Sequence, residues 1–427
     1  MKHDLREALK NQILVGDGAM GTYLYQLGFP VGISYEELNL SRPEVIADVH
    51  RRYYEAGARV IETNTFSANR EKLAKYGLEE QTAEINRAGA AIARNAVGAD
   101  AYVLGAVGSI RVGKRKNVRS QKLKEDFHEQ ISALVDSGVD GLLFETFYDL
   151  EELLIALQMA RQVSNLPVVC QFAVEDTART NDGIPLGEAF ARLIESGADA
   201  VGFNCRSGPN GIMRSIARLP EDFAFPLSIF PNAGLPDYVD GRITYKSTPE
   251  YFADCAVKFA GMGAKIIGGC CGTTPEHINA ISAALDSVQK NMSTGAPALE
   301  KFTLSEADAE PLSEQRAEDT NGTSEAVHEG SIIDLVRSRH TVIVELDPPR
   351  DLDLTRFMEG ASLLKQAGAD AITMADNSLA VTRMSNMAVG TLLKEKLGIR
   401  PIVHIACRDR NLIGTQSHLM GLHALGI

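Results

Sequence analysis

Short apolar runs recur along the first 290 residues, each following a helical stretch and a glycine turn. The repeated pattern is a small residue, Gly, a small or aliphatic residue, a polar residue, then the apolar run. It reads AGARVIETN from Ala56, VGADAYVLGAV from Val97, SGVDGLLFET from Ser137, SGADAVGFNC from Ser196 and MGAKIIGGCC from Met262. Stretches such as EVIADVHRRYYEA and EAFARLIE precede the copies with the 3.6-residue periodicity of amphipathic helices. The Gly reads as the left-handed residue that ends each helix, and the apolar run as the next strand. Strands apolar on both faces that alternate with helices are what a buried parallel sheet requires.

Three further runs, ILVGD at 13–17, PVVCQFAV at 167–174 and PLSIFPN at 226–232, complete the set. Strands are thus expected near residues 13, 60, 102, 141, 168, 199, 227 and 265. Eight βα units in this length predict an α/β fold, a (β/α)8 TIM barrel, over 1–290. A doubly wound open sheet is the competing topology, but the phosphate loop that usually follows its first strand is missing. Residues 291–330 carry nine acids against two bases and few large apolar side chains, which predicts an acidic linker. From 331 to 427 the rhythm resumes with TVIVELDPPR, AGADAITMAD and IRPIVHIACRD. Three strands cannot close a barrel, so the first few βα units of a second, incomplete TIM barrel are expected there.

Charge narrows the function classes. The formal net charge of −13 argues against a nucleic-acid partner, which needs a basic stripe, and against anionic membrane surfaces. No apolar run approaches the roughly 18 residues of a membrane span, and the N-terminus lacks a signal-peptide core. The six cysteines are too few and too scattered for a disulfide framework, so reduced thiols in a cytoplasmic enzyme are expected. The sequence carries no signal for oligomeric state.

The repeat also supplies a register. Seven residues beyond the repeat Gly, each strand reaches its C-terminal end: Asn64 from Gly57, Glu145 from Gly138, Asn204 (then Cys205) from Gly197, and Cys270 (then Cys271) from Gly263. Asp17 and Gly18 end the first strand, and Asn232 the seventh. Polar and sulfur-bearing residues therefore collect at the end of the barrel where active sites form. Cys205, Cys270 and Cys271 could converge on one Zn²⁺ and leave a fourth tetrahedral position for a substrate thiol. Cys170, Cys255 and Cys407 read as core or helix thiols, Thr63 and Asn64 as second-rank loop residues, and His277 as helix surface behind a Thr274 cap.

The segments VGDGAMGTYLYQLG, IETNTFSANREKL, LLFETFYDLEE, GFNCRSGP, PNAGLP and GGCCGTTPEHI resemble the homocysteine S-methyltransferase family over about residues 1–290. The resemblance implies zinc bound by Cys205, Cys270 and Cys271, with Asn232 at the metal until substrate arrives. It also implies that Asp17, Gly18 and Glu145 hold the amino and carboxylate groups of homocysteine, giving methionine as product. The methyl donor is left open between S-adenosylmethionine, S-methylmethionine and methyltetrahydrofolate. No D-x-H-x-x-G cobalamin loop occurs: Asp48-Val49-His50 continues to Tyr53 rather than Gly.

After residue 331, VELDPPR, AITMAD and PIVHIACRDRN resemble the start of methylenetetrahydrofolate reductase. That likeness implies Glu345 as the acid toward folate, with Thr373 and His404 near FAD. The alternative is the N-terminal part of a cobalamin-dependent methionine synthase. A zinc hydrolase, which would favour His and carboxylate ligands, and a non-catalytic zinc barrel are weaker readings.

Overall fold

A computed structural model describes residues 2–111, 120–174, 179–220, 222–234, 236–239, 242–293, 332–376, 382–407, 410 and 412–427. Its contacts group into two units, Met1–Glu318 and Asp319–Ile427. The acidic stretch expected as a linker lies, from 294 onward, outside the described residues.

The first unit contains strands β1 (Leu14–Val15), β2 (Val60–Glu62), β3 (Tyr102–Gly108), β4 (Gly141–Phe147), β5 (Val168–Phe172), β6 (Ala200–Asn204) and β7 (Leu227–Phe230). A small antiparallel hairpin, β8 (Asp237–Val239) with β9 (Arg242–Thr244), precedes β10 (Ala264–Ile267). Strands β1–β7 and β10 form one parallel sheet in the order β1-β10-β7-β6-β5-β4-β3-β2. The ring closes through a single parallel bridge, Gly16 to Val60, with Asp17 N–H donating to Val60 C=O at 3.0 Å. This is the expected eight-stranded barrel, and all eight strands lie where the apolar runs place them. The repeat glycines take the left-handed backbone that ends a helix: φ is +108° at Gly57 and +100° at Gly197.

Alternation sorts each strand's side chains. Val60, Leu104, Leu143, Val169, Ala200 and Ile266 point into the barrel, where the helix Leu5–Asn11 plugs the lower end with Leu5 and Leu9. Ile61, Val103, Phe144, Phe172 and Val201 point outward under the helices. In two copies of the repeat the polar residue is an aspartate that acts as a latch at the lower rim. Asp140 accepts from Val103 N–H at 2.8 Å and pairs with Lys2 and Arg94. Asp199 accepts from Val168 N–H at 2.8 Å and pairs with Arg6 and Arg161. Each carboxylate satisfies a strand-start amide and neutralises its own burial with cations.

The second unit is a three-stranded parallel sheet in the order β11 (Ile343–Glu345), β12 (Ala371–Met374), β13 (Arg400–Val403), around a small core that includes Phe357, Ile372, Met374 and Val389. It repeats the latch: Asp370 accepts from Val342 N–H at 2.9 Å and pairs with Arg339. Of the second barrel, the described residues show this small sheet only. Among them, no helix is long and apolar enough to cross a membrane.

One close approach makes a direct test. A Cβ on Gly202, in β6, would sit 1.8 Å from the Ser228 carbonyl oxygen in β7. Gly202→Ala must push the two backbones apart, and a loss of about 3 kcal/mol is expected in urea unfolding, with soluble yield falling alongside.

Candidate functional site

The upper ends of the strands enclose a cavity of about 590 Å³ lined by Asp17, Glu62, Glu145 and the three cysteines, among others. Its lower wall is the Phe230 ring, which fits only because Gly16 and Gly268 flank it. A Cβ at either glycine would lie within 2.5 Å of that ring.

Cys205 follows β6, and Cys270 and Cys271 follow β10. Both chain ends are tied to the end of β7 between them: Cys205 N–H donates to Phe230 C=O at 3.0 Å, and Cys270 N–H to Pro231 C=O at 2.8 Å. Ala233 N–H returns to Cys271 C=O at 2.8 Å. The Sγ atoms of Cys205 and Cys271 lie 3.8 Å apart, and all three sulfurs lie within 4.8 Å of one another. Bonds of about 2.3 Å at tetrahedral angles separate two sulfurs by about 3.8 Å, so the trio has the spacing of a thiolate metal shell. The Asn232 Oδ1 atom is buried with no hydrogen-bond partner among the described residues, an acceptor left available beside the trio.

Electrostatics agree with a cation-seeking site. Hydrogen bonds from Cys270 and Cys271 lower the Cys205 thiol, whereas the contact with Cys205 raises both Cys270 and Cys271. Negative charge is thus favoured at Cys205, and a bound cation would release the protons held by the other two. The backbone is strained here too. Cys205 and Arg206 both have φ of +55°, and Thr146, just after Glu145, has +57°. Such non-glycine conformations cost on the order of 1 kcal/mol or more each and persist where neighbours hold them. At Thr146 the holder is Asn204, whose Oδ1 accepts Thr146 N–H at 2.7 Å while its Nδ2 donates to Glu145 Oε2 at 3.1 Å.

Asp17, Glu62 and Glu145 meet in the cavity, which Glu36 also lines. Asp17 Oδ2 accepts Glu62 N–H at 3.0 Å, and Asp17 Oδ1 is buried without a partner among the described residues. Burial raises Asp17, helped by the charge of Glu145; burial and then Glu145 and Asp17 raise Glu62. Glu145 is lifted to about 7 by burial, with Cys205 adding to it. Burial makes ionisation of these three acids costly, and Lys72, the cation that favours the charged form of Glu145, makes no ion pair with them among the described residues.

The remaining expected residues are also accounted for. Gly18 lines the cavity where a Cβ would strike the Tyr53 ring at 2.7 Å. Thr63 and Asn64 line it too, but their side chains are engaged by the scaffold: Thr63 Oγ1 accepts Ala106 N–H at 3.0 Å, and Asn64 Nδ2 donates to Tyr35 C=O at 2.8 Å. Cys170 and Cys255 are buried core thiols, and Cys407 is exposed. His277 corrects the sequence reading. It is buried rather than surface, bonded to Thr274 and to Ser247 C=O at 2.9 Å, because the Ser247 loop folds over that helix. In the second unit Thr373 Oγ1 and His404 Nε2 lie 2.9 Å apart, and Glu345 pairs in register with Thr373 across β11 and β12.

Sequence reasoning missed Glu62 and Lys72. Strand alternation carried the signal for Glu62, since Val60 faces the barrel interior and residue 62 must face it as well. Lys72 sits on the four-residue helix Arg70–Leu73, whose direction no local pattern announces.

A parallel βα barrel whose strand ends present three converging thiols and a set of buried acids defines a class of thiol-handling enzymes. The chain belongs to the homocysteine S-methyltransferase family, whose model matches residues 14–285. It is similar to the methionine synthases of Mycobacterium leprae (33% identical over 301 residues, 66% of this chain and 25% of that protein) and Mycobacterium tuberculosis (32% over 306 residues, 67% and 26%). The chain therefore spans about a quarter of the length of these relatives. The metallated form of the homocysteine methyltransferase MmuM from Escherichia coli superposes with a TM-score of 0.56 at 26% identity, covering 66% of this chain and 99% of that one. Its oxidized form gives 0.56 at 25% identity, with the same coverage.

The raised Glu145 carboxyl predicts a pH dependence. The unfolded chain loses that proton near the ordinary carboxyl value of 4.5, the folded chain only near 7, so folding is favoured most at low pH and the advantage fades as pH rises through 7. The melting temperature of metal-free wild type should fall more steeply between pH 5 and 8 than that of Glu145→Gln. Parallel slopes would contradict the assignment.

Proposed function

We propose that this chain transfers a methyl group to the thiol of homocysteine, forming methionine, on a zinc ion held by Cys205, Cys270 and Cys271. The observation that carries the reading is the meeting of three sulfurs from two strand ends inside a cavity whose walls also carry Asp17, Glu62 and Glu145. Zinc, when bound, would lower the pKa of the substrate thiol so that it reacts as a thiolate. Asn232 Oδ1, which has no hydrogen-bond partner among the described residues, is suited to the fourth position until the substrate sulfur takes it. Asp17 and Glu145 receive the α-ammonium, and ionise as they do so, because the ligand brings a cation into contact with them. Gly18 forms part of the wall against which the amino-acid backbone lies, its missing side chain making room for the Tyr53 ring behind it. Thr63 and Asn64 fix the wall by holding β3 and the Tyr35 loop. The reaction forms the S–CH₃ bond as the donor's bond to that carbon breaks, the donor leaving with the electron pair. The acids and Asn204 act by orientation, which can contribute several kcal/mol.

The donor is S-adenosylmethionine, S-methylmethionine or methyltetrahydrofolate, the last requiring a proton on its leaving nitrogen. For the second unit we propose a methylenetetrahydrofolate reductase-type fragment, with Thr373 and His404 toward FAD and Glu345 as acid. Support comes from all three residues lying on the same, C-terminal, edge of the small sheet. A second reading, favoured by the two mycobacterial relatives, is a substrate-binding module of a cobalamin-dependent methionine synthase.

Turnover with homocysteine against each donor, beside metal analysis, tests the reading. Wild type should contain one zinc per chain, and Cys270→Ser should lose most of the metal and at least about 100-fold in rate. A Cys270→Ser protein with full zinc and full activity would sink the ligand assignment. For the second unit, titration with FAD should quench flavin fluorescence in wild type and do so less in His404→Ala. No quenching in either would remove the flavin reading.

A further inference from the structure

The short helix Arg70–Leu73 follows β2 at the cavity mouth and is capped by Asn69, whose side chain accepts Lys72 N–H at 3.0 Å. Its first two charged residues turn outward and find partners: Arg70 pairs with Glu129 at 3.0 Å and Glu80 at 2.7 Å, and Glu71 pairs with Lys122. Leu73 is buried in a small apolar cluster and anchors the helix. Lys72 alone turns toward the cavity, which it lines. Its Nζ lies 4.9 Å from the centre of the Phe66 ring, and among the described residues it makes no hydrogen bond or ion pair. Burial pushes its pKa down; the carboxylates that counter this, Glu36, Glu152 and Glu145, act from beyond contact distance.

A half-buried ammonium resting on an aromatic face, with no hydrogen bond or ion pair among the described residues, has its other N–H directions open to a ligand. Asp17, Glu36, Glu62 and Glu145 line the same cavity, and none of them makes an ion pair with Lys72 among the described residues. The cavity therefore offers acidic groups to an amine and the Lys72 ammonium to an anion. A zwitterion satisfies both ends at once, and a molecule with an amine but no carboxylate satisfies only one.

We propose that Lys72 binds the α-carboxylate of the thiol substrate and so makes the site specific for an amino acid rather than for any aminothiol. The inference rests on the homocysteine reading given above and extends it to a residue that reading does not use. Phe66 holds the Lys72 chain in place, and the ammonium supplies charge-assisted hydrogen bonds to the incoming carboxylate. Lys75 also lines the cavity and adds positive potential from a more exposed position.

Calorimetric titration of the zinc-loaded chain with two ligands provides the test. L-Homocysteine carries thiol, amine and carboxylate; 3-aminopropane-1-thiol carries the first two only. Lys72→Met should weaken homocysteine binding about 10- to 100-fold while leaving 3-aminopropane-1-thiol unchanged, and Lys72→Arg should recover most of the loss. Equal weakening of both ligands, or of neither, overturns the role of Lys72. If homocysteine binding is unchanged in Lys72→Met and only the KM for methyltetrahydrofolate rises, the anion at Lys72 belongs to the donor and the inference also falls. A wild-type chain that binds neither thiol removes the homocysteine reading and this inference together; one that binds homocysteine as tightly as Lys72→Met does removes this inference alone.

Discussion

Two consecutive carbonyls at the end of β7, those of Phe230 and Pro231, set the geometry on which the site depends. One accepts from Cys205 and the other from Cys270, so sulfurs 65 positions apart in the chain are referred to one short piece of backbone. The distance between them follows from sheet spacing rather than from side-chain flexibility. That is why the trio stands at metal-shell spacing without help from a ligand, and why the local backbone tolerates positive φ at Cys205 and Arg206.

The acid trio and the thiol trio are two answers to the same condition. Both place potential anions where water is scarce, and both are tolerable only if protons stay on or cations arrive. In the ligand-free chain protons serve: Cys270, Cys271, Asp17, Glu62 and Glu145 are all raised. A divalent metal and an ammonium would each replace protons, so occupancy of one half of the site bears on the charge of the other.

The barrel was legible because its signal is periodic. Five of the eight barrel strands follow the Gly turn and all eight carry the apolar run, and the seven-residue register carried Glu145, Cys205 and Cys270 to their strand ends. What stayed hidden has a common cause. Glu62 ends a strand in phase with Val60, but its side chain matters only through Asp17 and Glu145, which come from distant strands. Lys72 depends on which way a single helical turn faces, and that is decided by Asn69, Arg70 and Leu73 finding partners elsewhere. His277 shows the reverse error, a helix residue covered by a loop from another part of the chain. Spacing along a sequence reports on strands and helices; it says little about turns whose orientation tertiary contacts choose.

The aspartate latches, finally, divide the labour of the fold along its axis. Asp140 and Asp199 fasten strand starts, the opposite rim from the sulfurs, and Asp370 does the same in the other unit. Cohesion invested at one rim leaves the loops of the other free to diverge, so a lineage could exchange methyl donors by rewriting those loops while the foundations stay unaltered.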